Sequence, residues 1–330
     1  MSSLLKVEGL KKYFPIRKGV FSRVAGYVKA VDGIDFEIQR GEIFGLVGES
    51  GCGKSTTGRT VLNLLNPTAG KVTFEDKVIY DVENNINLNK DQFRALRKDM
   101  QIIFQDPYAS LDPRMNVGNI ISEGILKHKL YDKKGALDKS KELLELCGLR
   151  GSFVKKYPHE FSGGQRQRIG IARALALNPK FIVGDEPIAA LDVSIQAQVL
   201  TLMQELKDQF DLTYLFISHD LSVVKYFCDT IGVMYLGNFV EKASSKELFK
   251  NPLHPYTKSL LSAIPISDPS IKKQRIVLQG DVPSPANPPS GCKFHTRCTF
   301  AKDICKKQVP PLIDVGNNHL VSCHRVKEIN

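Results

Sequence analysis

The feature that most restricts the fold is a glycine-rich octapeptide between an apolar run and a helical pattern. Residues 48–55 read Gly-Glu-Ser-Gly-Cys-Gly-Lys-Ser, and the preceding residues 41–47 form a short, mostly apolar run. Glycine, any four residues and then Gly-Lys-Ser is the pattern of a loop whose backbone N–H groups surround a phosphate. Because this motif requires a strand before it and a helix after it, the octapeptide predicts an α/β fold that binds a nucleoside phosphate.

The motif also predicts what the polar residues of this loop do. Lys54 is expected to place a point charge on the β- and γ-phosphate oxygens, and Ser55 is expected to hold Mg²⁺. The start of the following helix adds the positive end of its dipole. The other predicted phosphate contacts are Gly48, Ser50, Gly51, Cys52, Gly53 and Thr56. An ordinary glycine-rich turn is the alternative, and the flanking elements argue against it.

A second apolar run, residues 181–184, ends in two adjacent carboxylates, Asp185 and Glu186. In phosphate-loop enzymes an acid at this place holds the magnesium, so Asp185 is predicted to do so through water and Glu186 to polarise the attacking water. Apolar residues recur every three or four positions from Ile195 to Phe210, and residues 213–218 are again apolar. This pattern predicts a strand, a helix and a parallel strand. A solvated turn is the alternative for the two acids.

A third glycine-rich segment opens another predicted helix. It consists of Ser162, Gly163, Gly164 and Gln165, and its exposed N–H groups also suit an anion. One chain would then contain two helix N-termini that bind phosphate but only one magnesium site. A head-to-tail dimer resolves this mismatch, because each nucleotide is then held by the phosphate loop of one chain and by the Ser-Gly-Gly-Gln helix of the other.

Together these segments resemble the ATP-binding cassette ATPases over about residues 4–265. The resemblance implies a RecA-like phosphate-loop NTPase core with a mixed β-sheet, an inserted helical subdomain at about 106–177 and a domain spanning 1–250. It also implies that Gln105 touches Mg²⁺ and reports to membrane subunits, that His219 contacts the γ-phosphate, and that Asp192 lies in the loop joining the two sites. Catalysis is therefore expected from Glu186 and His219.

The family also places an aromatic residue against adenine early in the chain. Phe14 is the predicted residue, with Tyr13 and Tyr27 as rivals. Small departures from the family pattern occur at Phe161, Gly184 and Ala189. None of them removes a chemical group, so an active ATPase site is expected.

Residues 251–330 differ in composition from the rest of the chain, because prolines become frequent. They are predicted to be a separate small extension after a proline-rich linker. The segments 254–261, 280–285 and 287–292 are similar to the extension of oligopeptide and dipeptide importer ATPases, and 104–114 resembles the second of their two unlike subunits. The resemblance implies a heterodimer with a paralogous ATPase, with a homodimer as the form in isolation. It further implies two permease subunits, an indirect link to an external peptide-binding protein, and a peripheral place on the cytoplasmic face of the membrane. A nickel or metal-chelate importer of the same family is the alternative.

Four cysteines in this extension, Cys292, Cys298, Cys305 and Cys323, follow the spacing C-x5-C-x6-C-x17-C. Four soft thiolates select zinc or an iron–sulfur cluster. Because zinc sites usually contain two tight C-x2-4-C pairs, which are missing here, the spacing favours a [4Fe–4S] cluster, and the resemblance implies the same. Zinc and unligated thiols are the alternatives.

The net charge of +11 raises nucleic acid as an alternative partner, as for a soluble cassette ATPase. Its distribution argues otherwise, since residues 31–245 carry 26 basic and 28 acidic side chains and the excess lies at the two ends. No nucleic-acid partner is therefore expected. The longest apolar runs fall far short of the roughly 20 residues of a membrane span, and no secretory signal is recognised, so a cytosolic location is expected.

Overall fold

The computed structural model describes residues 3–19, 21–265 and 275–330. It divides into two compact units, which are described separately. The first unit contains Gln39–Glu42 and Leu88–Ile217, and the second unit contains Ser3–Ile38, Ile43–Asn87 and Ser218–Asn330.

The strands are β1 (Ser3–Lys18), β2 (Arg23–Gln39), β3 (Ile43–Val47), β4 (Ala69–Phe74), β5 (Lys77–Asp81), β6 (Ile86–Asn87), β7 (Met100–Ile103), β8 (Phe181–Asp185), β9 (Thr213–Ile217), β10 (Thr230–Tyr235), β11 (Asn238–Ser244), β12 (Ile313–Asp314) and β13 (Leu320–Val321). The helices are α1 (Lys54–Val61), α2 (Lys90–Asp99), α3 (Val117–Lys127), α4 (Lys133–Leu146), α5 (Gly163–Leu175), α6 (Val193–Phe210), α7 (Leu221–Phe227), α8 (Ser245–Lys250), α9 (Pro255–Ser262), α10 (Asp303–Lys307) and α11 (Val326–Ile329).

In the first unit, β7, β8 and β9 are parallel neighbours, with Phe181 opposite both Met100 and Thr213. Every residue of β8 and β9 is buried, as expected for parallel strands that are covered on both faces. Helix α6 connects β8 to β9 and buries one apolar face that includes Val199 and Leu206. The predicted strand–helix–strand unit is therefore confirmed, and its helix begins two residues before Ile195.

The predicted helical insert is also present in the first unit. Helix α3 packs against α4 and α5, and each helix follows a polar N-cap residue. The Asn116 side chain accepts a hydrogen bond from the Asn119 N–H at 2.8 Å, and Asp132 accepts one from the Gly135 N–H at 2.8 Å. Each cap stabilises its helix by about 1 kcal/mol, because it satisfies an N–H group that has no partner inside the helix.

In the second unit, β3 and β10 are parallel, and β11, β13 and β12 continue from β10 with antiparallel pairing. A further sheet has the strand order β2-β1-β4-β5-β6, and β1, β4, β5 and β6 pair antiparallel. The mixed sheet expected from the family resemblance is therefore confirmed. Strands β1 and β2 were not predicted, because charged side chains interrupt their apolar alternation.

The C-terminal extension lies in the second unit. Its strand β13 pairs with β11, with Val321 opposite Glu241, so the extension adds strands to an existing sheet. Val321 packs with Leu253 and Val326 in a small apolar cluster, and Cys323 packs against that cluster. This cluster packs the start of α11 and the segment before α9 against β13.

Candidate nucleotide-binding site

The predicted phosphate loop, residues 48–55, follows β3 and leads into α1, as the motif requires. Gly48 has φ 148° and Gly53 has φ 110°, which are backbone conformations that favour glycine. A Cβ atom on Gly48 would lie 2.3 Å from the carbonyl oxygen of Met234, and one on Gly53 would lie 2.1 Å from that of Ala30. Both glycines are therefore required by the strands that pack against the loop.

Lys54 is buried and crosses back over the loop. Its Nζ donates hydrogen bonds to the carbonyl oxygens of Gly48 at 2.8 Å and Glu49 at 3.1 Å. Cys52 is also buried, and burial raises the pKa of its thiol, which keeps the side chain neutral. By contrast, Ser50 and Gly51 lie at the exposed surface of the loop, where a phosphate can reach their N–H groups. Ser55 and Thr56 are partly exposed in the first turn of α1.

His219 lies in the second unit, directly after a residue that contacts the strand before the loop. The Ser218 N–H donates a hydrogen bond to the carbonyl oxygen of Leu46, in the strand that leads into the loop, at 3.2 Å. His219 follows with an exposed side chain, and Asp220 caps α7 directly after it. Contact of His219 with the γ-phosphate, which the family resemblance implies, remains a prediction.

The aromatic candidates for adenine differ in their surroundings. The hydroxyl group of Tyr13 is hydrogen-bonded to Asp32, and this bond together with burial raises its pKa. Phe14 is 36% exposed with Lys12 above its ring at 4.8 Å, and Tyr27 is 50% exposed. Stacking by Phe14 remains a prediction.

In the first unit, Gln105, Asp185 and Glu186 lie together. Asp185 is buried at the end of β8, whereas Glu186 is partly exposed and has φ 49°. Such a left-handed backbone is uncommon for a residue other than glycine, and strained residues of this kind concentrate at functional sites. The Gln105 amide nitrogen donates a hydrogen bond to Glu186 Oε2 at 3.1 Å. The predicted catalytic carboxylate is thus held by the predicted magnesium ligand.

Gly184 departs from the family pattern, and the structure gives a reason. A Cβ atom at this position would lie 3.2 Å from the Pro187 ring, closer than ordinary contact. Glycine lets Pro187 pack on the strand immediately before Asp185.

The Ser-Gly-Gly-Gln segment forms the start of α5. Ser162 caps this helix, with its hydroxyl accepting from the Gln165 N–H at 3.4 Å and Gln165 Oε1 accepting from the Ser162 N–H at 3.1 Å. A Cβ atom on Gly164 would lie 2.5 Å from Ile195 Cγ2, so the starts of α5 and α6 pack closely. Gly163 opens the same turn, and Asp192 is exposed just before α6. The structure therefore brings the predicted second anion site next to the Asp192 loop.

The four clustered cysteines line a single cavity in the second unit. Cys305 is buried and the others are partly buried, and all four carry free thiols. Burial first, and the neighbouring cysteines to a smaller extent, raise the pKa of Cys292 to about 11. Among the residues that the structure describes, no group of three or more His, Cys, Asp or Glu side chains is arranged to hold a metal ion.

Sequence reasoning missed two contacts to the phosphate loop. The Arg297 guanidinium forms an ion pair with Glu49, and the Tyr256 hydroxyl accepts a hydrogen bond from the Glu49 N–H at 2.9 Å. Both residues belong to the C-terminal extension. Tyr256 lies in the segment 254–261 that resembles peptide importers, but nothing in that pattern indicates a contact with residue 49.

Fold and site define an ATPase of the ATP-binding cassette class. Residues 31–189 match the ABC transporter family, and residues 240–305 match the C-terminal region of oligopeptide/dipeptide transporters. Within the described ranges, no helix combines the length and apolar character needed to cross a membrane.

Individual relatives of this chain are ATP-binding proteins of transporters. The oligopeptide transport ATP-binding protein AppF of Bacillus subtilis is 54% identical, with 98% of this chain and 97% of AppF covered. The dipeptide transport ATP-binding protein DppF of Haemophilus influenzae is 46% identical, with 98% and 97% covered. Among solved structures, cbiO1 of Clostridium perfringens, part of the ABC transporter complex cbiONQ, has a TM-score of 0.63 at 27% identity, covering 76% of this chain and 92% of cbiO1. The chain belongs to the oligopeptide/dipeptide transporter family of ABC ATP-binding proteins and is an ATPase subunit of a transporter.

Proposed function

We propose that this ATPase energises the import of dipeptides or oligopeptides through a membrane permease. The observation that carries the proposal is the pairing, in one chain, of an ABC ATPase region with a C-terminal region of the oligopeptide/dipeptide transporter type. The names of AppF and DppF support peptides over a nickel chelate or nucleic acid. Phosphate-loop chemistry supplies the energy, and the substrate contacts the permease.

The described residues divide the chemistry of hydrolysis between them. Lys54 and the loop N–H groups bind the β- and γ-phosphates, and His219 contacts the γ-phosphate. The Ser55 hydroxyl of the second unit and the oxygens of Gln105 and Asp185 of the first unit are each of a type that Mg²⁺ prefers, and the ion would neutralise charge on the phosphates when bound. Since the Gln105 amide nitrogen is bonded to Glu186, its amide oxygen is the atom left for the metal. Glu186 orients the attacking water and accepts its proton.

Glu186→Gln tests the catalytic assignment. The amide keeps the shape of the side chain but cannot accept the proton of water, so steady-state phosphate release is expected to fall by at least about 100-fold. Binding of ATP is expected to persist, and ATP-bound dimers should accumulate on size-exclusion chromatography. Turnover equal to that of the wild type would refute the role of Glu186.

We infer that the working form is a heterodimer with a paralogous ATPase, bound to two permease subunits on the cytoplasmic face of the membrane. The α5 start and the phosphate loop support a composite site, because both present N–H groups to an anion. An external peptide-binding protein would act through the permease, and a homodimer is expected for the isolated chain. Affinity purification from native membranes with mass spectrometry tests this assembly, and recovery without permease subunits would contradict it.

We also propose that Cys292, Cys298, Cys305 and Cys323 hold a [4Fe–4S] cluster, with Zn²⁺ as the alternative. Four cysteines lining one cavity supply the ligand number that such a cluster needs, and the cluster would link segments that share little core. Because burial raises the pKa of Cys292, Cys298 and Cys323, binding must release protons from these thiols. Anaerobic purification with iron, sulfide and zinc analysis tests the assignment, and zinc without sulfide would contradict the cluster.

A further inference from the structure

The contact between the C-terminal extension and the phosphate loop carries an inference beyond peptide import. Arg297 Nη1 lies 2.7 Å from Glu49 Oε2, and Nη2 lies 3.1 Å from Oε1, so the pair is bidentate. The Arg297 side chain is 7% exposed and that of Glu49 is 28% exposed. This pair is therefore shielded from water and stronger than an ordinary surface ion pair.

Aromatic residues of β10 and of the extension surround Arg297. The guanidinium lies 6.0 Å from the centre of the Tyr235 ring. Phe294 is fully buried. It packs edge-on against Tyr235, with 5.3 Å between the ring centres, and at a tilt of 57° against Tyr256, with 5.4 Å between the ring centres. Tyr256 in turn accepts the hydrogen bond from the Glu49 N–H. Backbone and side chain of Glu49 are thus both held by residues outside the loop.

The negative charge of Glu49 is the reason why its ion pair with Arg297 matters for ATP binding. A carboxylate inside a loop that binds the phosphates of ATP repels the ligand, and the repulsion is strong where water is partly excluded. Arg297 cancels that charge at a distance of 2.7 Å. In its absence, Glu49 would add an unpaired negative charge to the phosphate loop.

We propose that Arg297 is a positioning residue that neutralises Glu49 and fixes the phosphate loop, so that the ATP affinity of this subunit depends on its C-terminal extension. The inference rests on the proposed ATP-binding function. Arg297 lies between Cys292 and Cys298 in the sequence, so the segment that contains two of the proposed cluster ligands also contains this residue. The ATP affinity of the phosphate loop would then depend on whether the extension is folded.

Arg297→Ala in the full-length protein tests the proposal. We expect the dissociation constant for a fluorescent ATP analogue to rise about tenfold, and KM for ATP to rise similarly while kcat stays within about twofold. Arg297→Lys, which keeps the charge but loses the bidentate geometry, should lie between the wild type and Arg297→Ala. Adding Glu49→Gln to Arg297→Ala should restore affinity to within about threefold of the wild type, because the unpaired charge is removed.

Lys302→Ala is the matched control, since its ion pair with Glu328 lies on the same extension but is exposed on both sides. It should leave ATP affinity unchanged. Unaltered affinity in Arg297→Ala, or a double variant as weak as Arg297→Ala, would overturn the proposal. If Arg297→Ala fails to fold, Arg297→Lys decides, and an ATP affinity equal to that of the wild type in this variant would overturn the proposal. Wild-type protein that binds no ATP would refute the proposed function itself, so the two failures are distinguishable.

Discussion

The buried carboxylate of Glu241 is expected to hold the C-terminal extension to β11. Its side chain has no exposed surface and accepts three hydrogen bonds. Oε1 accepts from the Leu253 N–H at 2.8 Å and lies 2.7 Å from His319 Nε2, and Oε2 accepts from the His254 N–H at 2.9 Å. One side chain therefore ties the segment before α9 and the segment before β13 to the same strand.

Glu241→Gln keeps the shape of this side chain but replaces one acceptor by an NH₂ donor. With the amide nitrogen in the place of Oε2, it faces the His254 N–H, and two buried donors are left without a partner. Loss of the charge also weakens the remaining bonds, which are each worth about 1.5–3 kcal/mol to a carboxylate. The expected destabilisation is about 3 kcal/mol, which corresponds to a fall in Tm of about 6–12 °C.

Differential scanning calorimetry of the two proteins measures this change. Glu247→Gln is the control, because Glu247 Oε1 lies 3.9 Å from the same histidine but its side chain is partly exposed. We expect that variant to melt within about 2 °C of the wild type. A Glu241→Gln protein that melts as close to the wild type would refute the reasoning, since the three buried bonds would then contribute nothing.

Two further predictions concern the ATP site and the cysteines. Gly164→Ala adds a Cβ atom 2.5 Å from Ile195 Cγ2, so the starts of α5 and α6 must separate. ATPase activity should fall about tenfold or more, while ATP binding at the phosphate loop is unchanged, and equal phosphate release would contradict this. Cys305→Ser should lower the iron and sulfide content of anaerobically purified protein, whereas Cys147→Ala, at a buried cysteine outside the cavity, should keep both. Equal iron in both variants would exclude Cys305 as a ligand.

The parts of the fold that could be predicted are those that a local sequence pattern marks, either an apolar run or a short motif. Residues 181–184 and 214–217 contain no charged or polar side chain except the Tyr214 hydroxyl, because β8 and β9 are covered on both faces. The Gly-Lys-Ser motif marks the strand, loop and helix that contain it. Strands β1 and β2 carry charged residues along most of their length, so no periodicity revealed them.

The candidate site shows the same division. Local motifs located Lys54, Ser162 and Glu186, because each role depends on residues close in sequence. The Arg297–Glu49 pair joins positions 248 residues apart, and neither residue type is unusual in its own segment. Only tertiary packing around Phe294 and Tyr256 brings the extension to the phosphate loop, which is why that contact could not be predicted.

Peptide uptake by cells whose only copy of this protein carries Glu186→Gln tests the central claim most directly. The variant should assemble with the permease in the membrane, as checked by affinity purification, because the substitution leaves the fold and the phosphate loop intact. Uptake of a radiolabelled oligopeptide or dipeptide should then fall to the level of a strain lacking the protein. Undiminished uptake of both peptides, with the variant present in normal amounts, would contradict the account.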